Sequence, residues 1–76
     1  MTVQIKAITS IDGNVCWCDE EDATAFAVYI GEPGEYRWIA DFEVYEDARI
    51  WANGVADCHD TILDDGVETE RNATQH

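Results

Sequence analysis

The sequence is poor in positive charge, in proline and in long apolar runs. Its 76 residues contain four Lys and Arg against seventeen Asp and Glu, which gives a formal net charge of −13 at pH 7. Nucleic acids and anionic membranes repel such a chain, so we expect neither as a direct partner. No apolar run approaches the roughly 18 residues that a membrane-spanning helix requires.

The number of cysteines is odd, and no secretory signal is visible. Three Cys leave one unpaired in any disulfide scheme, which favours a reducing compartment. Residues 1–13 contain no charged region followed by an apolar region, as a secretory signal would. These features predict a cytoplasmic location.

What the sequence does contain is the alternation typical of an antiparallel sheet. Val3, Ile5 and Ala7 alternate with polar residues, which is the period of a half-buried strand. Asp12-Gly13 is a strong hairpin signal, because both central positions of that turn favour positive φ. We predict a four-stranded antiparallel β-meander, with strands around residues 3–7 and at 14–18, 25–30 and 36–42.

After the fourth strand the period changes to that of a helix. Apolar residues recur at steps of three and four from about Val44, namely Val44, Ala48, Trp51, Ala52 and Val55. We therefore predict an α+β domain over residues 1–63, with one C-terminal amphipathic helix packed on one face of the sheet. Residues 64–76 are predicted to be an acidic turn followed by a mobile tail.

One helix covers one face of a sheet, so the two faces need separate predictions. The alternation assigns one set to the covered face: Val3, Ile5, Phe26, Val28, Trp38 and Phe42. It assigns another set to the opposite face: Cys16, Cys18, Ala25, Ala27, Tyr29, Arg37 and Ile39. The second face is half apolar, so either it forms an interface or the segment with Ile62 and Leu63 folds back over it.

Thiol and imidazole groups raise the question of a metal site. Cys16, Cys18, Cys58 and His59 carry zinc-ligand chemistry. Zinc sites more often use wider spacings within each pair, and adjacent residues on a helix diverge by about 100 degrees. Because free Cys is commonly buried, we interpret these cysteines as packing residues and predict no metal and no cofactor.

The sequence offers little catalytic chemistry. Cys58 and His59 diverge on a helix and do not form a dyad, and His76 lies in the predicted tail. The acidic run Asp19–Asp22 lacks the alternate spacing and central Gly of an EF-hand loop. We therefore predict that the protein is not an enzyme.

Carboxylates cluster at strand ends, at turns and at the helix start. Strand residues two apart are separated by about 6.5–7 Å, which is comparable to the spacing of phosphates on one nucleic-acid strand. A folded surface of carboxylates could therefore occupy a basic groove built for nucleic acid. We predict Asp19, Glu20, Glu21 and Asp22 as the main partner-binding surface, with secondary contacts from Glu32, Glu35, Glu43, Glu46 and Asp47.

The composition and layout resemble those of small phage-encoded anti-CRISPR proteins that act as nucleic-acid mimics. The segment 39–52, IADFEVYEDARIWA, also resembles the strand-to-helix junction of several small phage proteins. The resemblance covers about a fifth of the chain and implies stoichiometric, non-enzymatic inhibition of a host complex that handles nucleic acid, in the host cell cytoplasm. The alternative is a small dimeric structural or adaptor protein that uses the uncovered sheet face near Cys18, Tyr29 and Ile39.

Overall fold

A computed structural model describes residues 1–73 and shows an α+β fold, as predicted, with five strands and two α-helices. In chain order these elements are β1 Thr2–Ile11, β2 Asn14–Trp17, β3 Ala25–Gly31, β4 Arg37–Phe42, α1 Tyr45–Cys58, β5 Ile62–Asp65 and α2 Gly66–Ala73.

The strand order is β2-β1-β3-β4, so the prediction of a simple meander is wrong. The predicted hairpin at Asp12-Gly13 does form, with φ values of 52° and 83°, and β2 pairs with the C-terminal part of β1. The chain then crosses to the other edge of β1, where β3 pairs antiparallel along residues 2–8. On the edge of β1 that pairs with β2, β5 pairs in parallel with residues 2–5. β1 is therefore long enough to take two partners on one edge.

Helix α1 begins one residue after Val44, close to the predicted start. It buries Tyr45 and a row of small side chains, Ala48, Ala52 and Ala56, against the sheet. Small residues on this face let the helix axis approach the strands closely, and the large residues Ile50 and Trp51 remain exposed. Gly54 lies within the helix and does not end it.

Residues 64–73 differ from the predicted turn and tail. Asp64 and Asp65 end strand β5, and α2 follows at once. Asp65 caps α2, because its Oδ1 accepts hydrogen bonds from the backbone N–H groups of Val67 and Glu68, each at 3.0 Å. Val67 is fully buried among the core residues that α1 also covers. The remaining predicted tail residues, 74–76 with His76, lie outside the described part of the chain.

The core lies between the sheet and the two helices. Val3, Ile5, Phe26 and Val28 face α1, as predicted from their alternation. Leu63 of β5 packs against this core, whereas Ile62 is 70% exposed. The C-terminal segment therefore joins the covered side of the sheet, and it does not fold back over the opposite face.

A register shift in β4 overturns part of the predicted face assignment. Val28 pairs with Ala40 and Tyr29 pairs with Trp38, which leaves Ile39 as an extra residue in β4. Trp38 therefore lies on the uncovered face beside Tyr29, and Ile39 packs against the core. Arg37 likewise moves to the covered side, since it pairs with Ile30.

The predicted face of Cys16 and Cys18 is also wrong, because both lie on the covered side of the sheet. Cys16 pairs with Thr9, which lies on the covered side of β1, and Cys18 packs against the core. Trp17 lies between them and therefore points to the uncovered face.

Candidate protein-binding surface

The acidic run forms a short 3-10 helix at one end of the sheet. Residues Glu20–Asp22 make this turn after Asp19, and the Asp22 N–H donates to the Asp19 carbonyl at 3.0 Å. Two flanking bonds fix the segment to β1, since the N–H groups of Cys18 and Thr24 donate to the carbonyls of Ala7 and Ile8. The backbone thus holds the run in place, and Asp19, Glu21 and Asp22 are exposed.

One carboxylate of the run is neutralised by Arg71, a residue of the predicted tail. Arg71 of α2 donates from Nε to both carboxylate oxygens of Glu20, at 2.9 and 2.7 Å, and its Nη2 adds a third contact. This hydrogen bonding lowers the pKa of Glu20. The Arg71 guanidinium also lies over the Tyr45 ring, 4.5 Å from its centroid. This ion pair could not be predicted from the sequence, because Glu20 and Arg71 are 51 positions apart.

Helix α2 also adds a carboxylate to this region. Glu70 lies beside Asp19, and burial together with a hydrogen bond to Asp19 raises the pKa of Glu70. Asp19, Glu20, Glu21, Glu70 and Arg71 line a surface depression of about 590 Å³. Sequence reasoning missed Glu70, since the formation of α2 brings it here.

The nine predicted contact residues lie at two opposite ends of the sheet. β3 begins at Ala25 beside the acidic run, and β4 ends at Phe42 opposite Phe26. We define the acidic end as Asp19, Glu20, Glu21, Asp22, Glu43, Glu46 and Asp47. Glu32 and Glu35 follow the far end of β3, about 20 Å away along a strand of this length. The structure therefore separates these two from the other seven.

Glu32 and Glu35 both make local contacts. Glu32 pairs with the N-terminal ammonium group of Met1. The Glu35 N–H donates to the Glu32 carbonyl at 2.8 Å and closes the turn between β3 and β4. Glu32 thus uses its carboxylate within the fold, whereas the contact of Glu35 is made by its backbone.

The uncovered face carries three aromatic side chains in a row, which we call the aromatic strip: Trp17, Tyr29 and Trp38. The Trp17 and Tyr29 ring centroids are 6.0 Å apart, and those of Tyr29 and Trp38 are 6.4 Å apart. Trp17 Nε1 donates to the Tyr29 hydroxyl at 3.1 Å, and Trp38 Nε1 donates to the Ala40 carbonyl at 3.0 Å. Trp17 is 61% and Trp38 46% exposed, so the strip is fixed in place but open to solvent.

The aromatic strip is contacted by the Lys6 ammonium group, and buried apolar residues lie beside it on the same face of the sheet. The Lys6 ammonium lies 5.0 Å from the centroid of a Trp17 ring. Ile8 and Ala27 lie on this face and are buried, although they do not belong to the core under α1. The sequence predicted Ala27 and Tyr29 on this face but missed both tryptophans.

The predicted packing role of the cysteines holds for one of them. Cys18 is partly buried against the core, and burial together with the nearby Asp22 and Asp19 carboxylates raises its pKa, which favours the thiol. Cys16 and Cys58 are exposed, contrary to the packing interpretation. Within residues 1–73, no cluster of His, Cys, Asp and Glu is arranged to hold a metal ion.

Neither described helix is long and apolar enough to cross a membrane. Comparisons of the chain with protein-family models, with curated proteins and with solved structures give no match.

Proposed function

We propose that the protein is a non-enzymatic inhibitor that binds the basic nucleic-acid-binding surface of a host protein or complex in the cytoplasm of the host cell. The observation that carries this proposal is the acidic end, where seven carboxylates converge on one end of the sheet. Of these seven, Glu20 makes an ion pair within residues 1–73. The other six are exposed, and one of them, Asp19, also shares a hydrogen bond with Glu70.

The arrangement suits a basic partner better than a solubility role alone. A net charge of −13 opposes folding through self-repulsion, and it exceeds the magnitude of roughly 2–8 that keeps a small domain soluble. Backbone hydrogen bonds hold the run at 19–22, so the backbone that carries its charges is in place before binding. Ordered carboxylates can replace phosphates at lysine and arginine side chains and accelerate association at low salt.

A matched pair of charge variants tests this function. The acidic-end variant carries Glu21→Gln, Asp22→Asn, Glu43→Gln and Asp47→Asn, which removes four exposed charges without breaking the Glu20–Arg71 pair. The control carries Glu32→Gln, Glu35→Gln, Asp57→Asn and Asp60→Asn, which removes the same charge at other sites. Each immobilised protein is exposed to bacterial lysate, washed at low and high salt, and eluted with a short DNA or RNA oligonucleotide.

We expect the wild type and the control to retain a nucleic-acid-binding complex that the oligonucleotide displaces. The acidic-end variant should lose that complex, because its steering charges are gone. If the two variants retain the same proteins, or if nucleic acid displaces nothing, the proposed function is wrong.

A further inference from the structure

The uncovered sheet face combines exposed aromatic rings with carboxylates at its margins. Asp41 pairs with Ala27 in the β-ladder and Asp64 pairs with Gln4, so both carboxylates lie on the same face as the aromatic strip. Both are exposed. Gln4 Nε2 donates to Asp64 Oδ2 at 3.2 Å, which holds that carboxylate on the face.

The contact between Lys6 and Trp17 shows that one ring of the strip accepts a cation. A cation over an indole face is attracted by the quadrupole of the ring, and Lys6 already occupies such a position at 5.0 Å. Trp38 offers a second indole that is 46% exposed. The indole N–H groups of both tryptophans are satisfied within the protein, so the rings are fixed before a ligand arrives.

We propose that this face binds an arginine-rich segment of the partner protein, whose guanidinium groups stack on Trp17 and Trp38 and pair with Asp41 and Asp64. Arginine fits better than lysine, because a planar guanidinium stacks on an aromatic ring and also binds a carboxylate through two parallel hydrogen bonds. The inference rests on the proposed function for the basic character of the partner. It adds a second contact surface, distinct from the acidic end.

A second copy of the chain is the competing occupant, and its charge argues against it. Two chains of −13 would have to approach face to face with Asp41 and Asp64 at the contact. A basic segment removes that repulsion and covers the same apolar area. Charge complementarity therefore selects the arginine-rich segment.

The test uses oligoarginine and oligolysine peptides of equal length, with binding measured by fluorescence anisotropy at low salt. The variant is Trp17→Ala with Trp38→Ala, and the control is Trp51→Ala. Trp51 is 40% exposed but packs against Phe42 on the covered side, so it matches the other two in chemistry and not in location. Circular dichroism spectra establish that each variant is folded.

We expect wild-type protein to bind oligoarginine more tightly than oligolysine. The double variant should bind oligoarginine roughly tenfold more weakly, from two lost cation–π contacts, and should lose the preference for arginine. The Trp51→Ala variant should retain wild-type affinity and preference.

Lys6 supplies an independent variant. Lys6→Gln clears the Trp17 ring and removes one positive charge, and Arg37→Gln removes the same charge on the covered side. We expect Lys6→Gln to tighten oligoarginine binding more than Arg37→Gln does. Equal effects would mean that the Trp17 ring is not a cation site for a ligand.

Other outcomes separate this inference from the proposed function. If the double tryptophan variant binds oligoarginine as wild type does, the face is not the docking surface, whatever the acidic-end variant shows. If sedimentation velocity shows a wild-type dimer that the double variant dissociates, a second copy occupies the face and the inference is overturned. Loss of partner capture by the acidic-end variant would still support the proposed function in either case.

Discussion

Asp65 is a buried carboxylate that connects both helices to the sheet. It is 7% exposed, its Oδ1 caps α2, and its Oδ2 accepts a hydrogen bond from the Tyr45 hydroxyl of α1. Burial and this hydrogen bond raise the pKa of Tyr45 to about 12, so the tyrosine stays protonated over the physiological range. One side chain thus fixes the start of α2 against α1.

We expect Asp65→Ala to lower the free energy of unfolding by about 2–3 kcal/mol, because it removes a helix cap and leaves the Tyr45 hydroxyl without its acceptor. Asp65→Asn should lose less, since an amide oxygen still caps the helix. The control is Asp64→Ala, an exposed neighbour whose loss should change stability by about 0.5 kcal/mol or less. Urea unfolding monitored by tryptophan fluorescence measures all three, and equal losses at 64 and 65 would contradict the capping role.

The turn between β3 and β4 depends on a glycine with no room for a side chain. Gly31 has φ +145°, and a Cβ built there would lie 2.5 Å from the Glu35 carbonyl oxygen. Gly34 in the same turn has φ +86° but open space around it. The two positions share positive φ and differ in the room for a side chain.

We therefore expect Gly31→Ala to destabilise the protein by roughly 3 kcal/mol, because the backbone of the turn must move. Gly34→Ala should lose about 1–2 kcal/mol from backbone strain alone. Thermal unfolding of the two variants gives the comparison. A loss at Gly34 that matches the loss at Gly31 would mean that the close approach to Glu35 does not matter.

Local patterns predicted the elements that depend on neighbouring residues. The alternation around Val3, the Asp12-Gly13 turn and the helical period after Val44 all act over a few positions, and each was found. β5 was missed because its partner Thr2 lies 60 residues from Ile62. Helix α2 was missed because its stability comes from the Asp65 cap and the burial of Val67, which become visible only in the folded chain.

The spatial arrangement of the candidate contact residues is harder to predict than the fold, for a related reason. Acidic residues can be counted in a sequence, but their distribution between two ends of the sheet follows from strand order. The extra residue Ile39 in β4 reverses the faces of Trp38 and Ile39, and alternation alone does not show such a shift. The aromatic strip therefore emerged only from the structure.

Repulsion among the carboxylates should make the stability of the protein depend on salt. With a net charge of −13, added NaCl screens repulsion among exposed carboxylates. We expect the melting temperature to rise as NaCl increases from low to physiological concentration, and a gain of about 1 kcal/mol would correspond to roughly 4–8 °C. The acidic-end variant, with four charges fewer, should respond less to the same salt series.

Differential scanning calorimetry of the two proteins measures this difference. A melting temperature that does not change with salt, or that changes equally in both, would mean that the carboxylates repel one another too weakly to affect folding. The net charge would then not lower the stability of the protein. The argument that this destabilisation favours a binding role would be wrong.

One edge of β1 pairs with both β2 and β5, and this arrangement affects the order in which the protein folds. The β1–β2 hairpin closes over a turn of two residues, whereas the parallel β1–β5 pair joins positions 60 residues apart. Loop closure over such a separation is slow compared with local hairpin formation. We expect the half-edge at residues 2–5 to stay open until late in folding, and during that interval its unpaired backbone groups can recruit a strand from another chain.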